Sequence, residues 1–253
     1  MKYLAAAFVF FTRLPFWKLK VFNVPLDCFR EAINYWAVTG WLTAGIMSAV
    51  LWLSAQILPY SVAVILALLS RVLLTGALHE DGLADFMDGF GGGQNKERIL
   101  AIMKDSHIGT YGVIGLLFYF LLLFEVLSHL PLGIACVMIL IADPFCKFIS
   151  AQIVLFLPYA RTAESSKSKV VYNKTSSISF FVSGIFGLAP LVFIPHVQWL
   201  AALLFPVVAF LFLTRLMRRK IGGYTGDCCG ALFLLCELSL YTGIFICLKN
   251  FPL

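Results

Sequence analysis

The chain has 253 residues, of which 61% are hydrophobic and only 13% charged, with a mean hydropathy of +0.93. Soluble domains carry about 25% charged residues and alternate apolar with polar faces, so this composition excludes an ordinary soluble domain and predicts a polytopic membrane protein. The net charge of +6 invites a nucleic-acid partner, but the charges fall in the loops on one side of the predicted bundle, which argues against one.

At the N-terminus, MKYLAAAFVFFTRLP resembles a leader peptide for about ten residues, lacks a small-residue cleavage site and runs straight into Arg13-Leu14-Pro15. It is expected to be retained as an interfacial or re-entrant segment. Spans of about 20 mainly apolar residues follow over 31–57, 60–79, 108–130, 131–157, 178–195, 197–217 and 229–248, an all-α fold of about seven transmembrane helices. Pro59, Pro131 and Pro195-His196 mark tight turns that make three hairpins and a final span. The long connections 1–30, 80–107, 158–177 and 218–228 then share one side and, with Arg215, hold 16 of the 19 Lys and Arg residues. That bias predicts a multi-pass protein of the cell inner membrane with this face in the cytoplasm. No repeat or low-complexity tract interrupts the chain, so residues 1–253 read as a single membrane-embedded domain; self-association into a homo-oligomer is left open. The loop 160–177 is polar, expected to be mobile and too short to be a domain. Seven cysteines without a CxxC pair indicate neither a zinc site nor a disulfide framework, and the vicinal Cys228-Cys229 reads as packing.

Against this background HEDGLADFMDGFGGG, residues 79–93, stands out. Asp81, Asp85 and Asp88 are spaced i, i+4, i+7, which stacks three carboxylates on one helix face. A hard divalent cation relieves their repulsion, and Mg²⁺ takes one or two carboxylates plus substrate phosphate oxygens. Glu80 points elsewhere in this register and is expected at the rim. The following Lys104-Asp105-Ser106-His107 adds a further ligand in Asp105, a cation for phosphate in Lys104 and a titratable imidazole in His107. Metal plus cations at a membrane face points to phosphoryl chemistry.

A second cluster, RRKIGGYTGDCCGALFLLCE, covers 218–237. Arg219 is a topology anchor or a phosphate cation; Gly223, Thr225 and Asp227 form a tight turn and a helix N-cap with free amides. Glu237 sits about ten residues into the last span, where an acid needs a partner or a function, and Arg71 is one of the cations that qualify. Asp143-Pro144 in the fourth span is expected to break the helix toward a cavity, with Lys147 as the counter-ion of Asp143.

Taken together, FTRLP at 11–15, HEDGLADFMDG at 79–89, IMKDSHIGTYG at 102–112, YAR at 159–161 and GGYTGDCCGA at 222–231 resemble the cobalamin synthase (adenosylcobinamide-GDP ribazoletransferase) family, in its order and over essentially the whole chain. Glu80, Cys228-Cys229, Asp143-Pro144 and the run after YAR depart from the usual pattern. The resemblance implies a Mg²⁺-dependent transferase that joins GDP-activated adenosylcobinamide to α-ribazole or its 5′-phosphate and releases GMP. On that reading Asp81, Asp85, Asp88 and Asp105 bind the metal. Lys104, His107, Arg161, Arg219, Gly223, Thr225, Asp227 and Glu237 contact substrate, and Asp85 or His79 serves as the base. The rivals are a CDP-alcohol phosphotransferase, whose Ala-Arg after the DG is here Gly91-Gly92-Gly93, a prenyltransferase, which needs a second acidic cluster, and a divalent-cation transporter, which needs acids spread through the spans.

Overall fold

The computed structural model describes residues 2–161, 170–173 and 175–251, so what was expected of 162–169 and 174, including the run after YAR, lies outside the described residues. The helices are α1 (Lys2–Phe11), α2 (Trp36–Ser54), α3 (Tyr60–Thr75), α4 (Leu78–Gly92), α5 (Lys96–Lys104), α6 (Thr110–Ser128), α7 (Leu132–Ala151), the one-turn α8 (Ile153–Phe156), α9 (Ser177–Leu188), α10 (Leu204–Ile221) and α11 (Gly226–Asn250). A ten-residue 3₁₀ segment, Leu26–Tyr35, leads into α2.

By length and composition, Leu26–Ser54, Thr110–Ser128, Leu132–Phe156, Val197–Ile221 and Gly226–Asn250 can each cross a membrane. Their lipid-side residues stay apolar, as a bilayer demands: Phe118 and Leu121 on α6 and Val208 and Phe212 on α10 are all exposed. Two expected spans take another form. The segment expected at 178–195 is a shorter apolar helical stretch, Ser177–Phe193, that turns from α-helix to 3₁₀ at Ala189-Pro190. The segment expected at 60–79 ends at Thr75, and α4 leaves at 90° to α3.

The elbow has a local cause. Gly76 (φ +66°) and Ala77 (φ +56°) are both left-handed, and their amides close back on the carbonyl of Val72. A glycine in this conformation is the usual end of a helix, whereas the alanine costs about 1 kcal/mol. A Cβ at Gly76 would collide with the Arg13 side chain, and the Arg13 amide bonds the Leu74 carbonyl at 2.7 Å. The FTRLP segment therefore braces the elbow. α1, ten residues long, packs against the 3₁₀ entry to α2 and buries Ala5, Ala6, Ala7 and Phe11.

Glu80 is corrected by this geometry. The bend turns it inward, so it is 4% exposed and lies 3.9 Å from Arg71 instead of standing at a rim. Arg71 Nη1 donates to both Glu237 oxygens, at 2.7 and 2.5 Å, and Nη2 donates to the Tyr119 hydroxyl at 2.6 Å. α3, α4, α6 and α11 are thus joined by one buried charge cluster. A second ties α7 to α2: Lys147 lies 2.6 Å from Asp143, and Thr43 donates to Asp143 at 2.7 Å. The expected break at Asp143-Pro144 does not occur, since α7 runs helical through Pro144. α2 lies close against that point: a Cβ on Gly40 would come within 2.7 Å of Pro144 Cα.

Candidate active site

Four connections far apart in sequence are tied together at one end of the bundle. Arg13 N–H reaches Leu74 O, Asn173 N–H reaches Arg30 O at 3.0 Å, and the Arg161 guanidinium reaches Leu100 O at 2.9 Å. The YAR and GGYTG segments pair directly as a short bridge, Ala160 N–H to Tyr224 O at 2.8 Å and Tyr224 N–H to Pro158 O at 3.0 Å. Gly223 makes that bridge feasible, because a Cβ there would strike the Pro158 carbonyl. Gly222, left-handed at φ +70°, ends α10 just before it.

From this bridge the chain enters α11. Thr225 is its N-cap, as its place in the sequence suggested, with the hydroxyl accepting from Cys228 N–H at 3.3 Å. Cys228 and Cys229 sit buried in the first turn, and all seven cysteines are free, consistent with packing. α11 crosses α4 at glycines. A Cβ on Gly82 would lie 2.9 Å from the Asp227 carbonyl, and one on Gly230 would lie 3.1 Å from the His79 carbonyl. Small residues let two backbones touch, so Asp227 is pressed against the aspartate helix. Asp227 and the aspartate helix, far apart in sequence, are therefore neighbours.

At this junction lies a cavity of about 250 Å³. Its lining combines the charged Asp81, Asp227 and Arg161 with His79 and the rings of Phe11 and Trp36. Asp81 is exposed and Asp227 half-buried in the first turn of α11, whose amide end carries positive potential. His79 is 2% exposed inside a box of rings, with centroids 5.3 Å from Trp36 and 5.1 Å from Phe233.

A family model described as cobalamin-5-phosphate synthase matches residues 3–245. The chain belongs to the cobalamin-5-phosphate synthase family. It is 37% identical over 240 residues to the adenosylcobinamide-GDP ribazoletransferase of Shewanella sp. (strain W3-18-1), covering 94% of this chain and 91% of that protein. It is 36% identical over 236 residues to the protein of the same name from Shewanella oneidensis, covering 92% and 89%. The Shewanella baltica (strain OS185) protein is 37% identical over 235 residues, with the same coverage. No solved structure matches.

The remaining predicted site residues of this cobalamin-5-phosphate synthase family member separate into groups. Asp85, one turn beyond Asp81, is half-buried and outside the cavity lining. Asp88 is buried and accepts from Gly109 N–H at 2.7 Å and Gly112 N–H at 2.8 Å, so it caps α6. Glycine is needed at both positions, where a Cβ would come within 2.5 Å of an Asp88 oxygen. Asp105 and His107 are exposed beside Asp88, along an open depression of about 600 Å³ separate from the cavity. The hydrogen bond from His107 Nδ1 at 2.7 Å, joined by the His107 amide, holds the Asp105 carboxyl below the usual carboxylate range. Lys104 ends α5 and Arg219 lies in the last turn of α10; both are exposed and neither lines the cavity. Glu237 is wholly buried in its pair with Arg71, outside the cavity lining.

Among the described residues no three His, Cys, Asp or Glu side chains form a ready metal cage. Asp81 and Asp227 both line the cavity, and carboxylate oxygens are the donors a hard cation takes when it completes its shell from phosphate and water. Sequence reasoning missed Trp36 and Tyr172 of the lining. A tryptophan at the head of an apolar span carries no signal that separates packing from binding, and Tyr172 stands in an otherwise uninformative loop.

Proposed function

We propose that this chain is an adenosylcobinamide-GDP ribazoletransferase, transferring the adenosylcobinamide phosphoryl group of adenosylcobinamide-GDP to a hydroxyl of α-ribazole or its 5′-phosphate with release of GMP. The observation that carries the reading is the gathering of His79, Asp81, Arg161 and Asp227, from three segments of the chain, around one cavity at the charged end of the bundle. The bond that forms joins the ribose oxygen to the phosphorus bearing the cobinamide, and the bond that breaks is the phosphoanhydride to GMP. Arg161 neutralises phosphate charge, and the amide end of α11 adds to it. His79, the imidazole that lines the cavity, takes the proton of the attacking hydroxyl; Asp85 lies outside the lining and shapes the field beside Asp81.

Mg²⁺ is the cation we assign, held by Asp81 and Asp227, where it would polarise the diphosphate and stabilise the leaving GMP. Asp88 and Asp105 take structural and peripheral roles on this reading. The basic connections that meet at the cavity support a cytoplasmic site in the inner membrane.

Detergent-purified protein given adenosylcobinamide-GDP, α-ribazole 5′-phosphate and Mg²⁺ is expected to release GMP and form adenosylcobalamin 5′-phosphate. EDTA should stop turnover and added Mg²⁺ restore it. A folded protein that yields no GMP from this pair sinks the reaction, and turnover indifferent to EDTA sinks the metal.

A further inference from the structure

Away from the cavity, two hollows adjoin each other at Tyr111, one apolar and one polar. The first is a groove of about 500 Å³ between α4, α6, α10 and α11. Phe86 and Phe90 of α4, Ile114 and Phe118 of α6, Leu216 of α10 and Leu235 of α11 line it, and no charged residue does. Along α6 it runs from Tyr111 to Leu122. That rise is about 16 Å at about 1.5 Å per residue, roughly half of a bilayer's hydrocarbon core, or one leaflet.

The second is the open depression of about 600 Å³ at the head of α6, where Arg98, Asp105 and His107 stand around the same Tyr111. Gly91 borders the groove and Gly92 the depression, so the last turn of α4 passes from one to the other. Arg98, Asp105, His107 and Tyr111 are all exposed, so a ligand reaches them without rearrangement. Arg98 forms no ion pair among the described residues. Asp105 keeps 58% of its side chain exposed while it bonds His107.

We infer that the two hollows form one site for a glycerophospholipid with a primary-ammonium head, one acyl chain lying in the groove and the head in the depression, its phosphate on Arg98 and its ammonium on Asp105. Position supplies the first argument. α6, α10 and α11 can each cross a membrane, so the groove between them faces hydrocarbon, and only an apolar occupant fills it there. The depression stands where α6 meets the charged connection 80–107, at the level of the head groups. Charge supplies the second. A cation and a carboxylate in one hollow match a head that carries both signs, whereas a second copy of the chain seated on the groove would leave the depression unused. The lipid so placed packs against Phe86 and Phe90 of α4, the helix that carries Asp81, and steadies α4, α6 and α10 together. The inference rests on the membrane fold and not on the transferase reading, so the two stand or fall separately.

The test is native mass spectrometry and thermal unfolding of the full-length protein in delipidating detergent, titrated with phosphatidylethanolamine, phosphatidylcholine or phosphatidylglycerol of the same acyl chains. About one phosphatidylethanolamine per chain is expected to be retained and to raise the thermal transition. Phosphatidylcholine, whose ammonium has no N–H, is expected to bind about 10-fold more weakly, the loss of one charge-assisted hydrogen bond. Asp105→Asn should erase that preference, and Arg98→Gln should weaken all three lipids about 5-fold by removing one cation from the head-group level. Ile114→Trp, which fills the groove from an exposed position, should abolish retention; Leu122→Trp serves if that variant does not fold. Merely structural roles for Asp105 and Arg98 would move the lipid-free transition and leave the preference between head groups as in wild type, which overturns the head assignment. Equal binding of all three lipids to wild type, or wild-type retention in a folded Ile114→Trp, overturns the site. A dimer that binds no lipid and is broken by Ile114→Trp also overturns it and gives the groove to a second copy.

Discussion

Asp227→Asn is expected to lower GMP release by about 10²- to 10³-fold, the loss typical of removing one preorganised electrostatic group from a transfer site, with the thermal transition little changed. The carboxylate lies in the first turn of α11 and lines the cavity, and the amide is nearly isosteric with it, so packing against Gly82 is kept. Asp81→Asn should behave alike, and the double variant should be scarcely worse than either single one. Groups that hold one cation act as a unit, and their losses do not add. Rates from single-turnover GMP release, with melting curves beside them, check this. Additive losses would mean that the two aspartates act on separate steps.

The largest effect on stability is expected at Glu237. Its pair with Arg71 is fully buried, and removing one partner of such a pair leaves an uncompensated charge, which costs about 3–5 kcal/mol. Glu237→Ala should fall at the lower end of that range because Glu80, 3.9 Å from Arg71, remains as a second carboxylate. Replacing the whole set, as in Arg71→Met with Glu237→Leu and Glu80→Gln, should recover part of the loss, since no buried charge is then left without a counter-charge. Unfolding midpoints in one detergent, compared across the single and combined variants, give the sign. A combined variant worse than Glu237→Ala would show that the polar cluster itself, including Tyr119, specifies how α3, α4, α6 and α11 meet.

Much of this architecture is legible in the sequence because a membrane makes composition speak. Unbroken apolar runs near 20 residues admit few readings, and the bias of Lys and Arg toward four connections matches the end at which the structure ties those connections together. The helical cluster of acids and the Thr225 cap are equally local signals. What sequence periodicity does not carry is direction. The i, i+4, i+7 spacing places Asp81, Asp85 and Asp88 on one face of α4, yet that face meets different neighbours along its length. Asp81 meets the cavity, while Asp88 meets two amides 21 and 24 residues further on. The inward turn of Glu80 depends on two consecutive left-handed residues, of which only Gly76 announces itself. Glycine after an apolar run is a helix-end signal, so the elbow was half visible in Thr75-Gly76-Ala77. Trp36 shows the opposite limit, since its ring looks like any span residue until His79 and Phe11 are set beside it.

In the proposed site Asp81 and Asp227, 146 positions apart in sequence, share one cation with the substrate diphosphate. The most direct measurement is a Mn²⁺ titration followed by electron paramagnetic resonance, with adenosylcobinamide-GDP bound to the purified protein. About one tightly held Mn²⁺ per chain is expected, lost in Asp81→Asn and in Asp227→Asn and kept in Asp105→Asn, whose carboxylate sits exposed beside His107. Mn²⁺ retained in Asp227→Asn but released by Asp105→Asn would contradict it and move the metal to the depression beside α5.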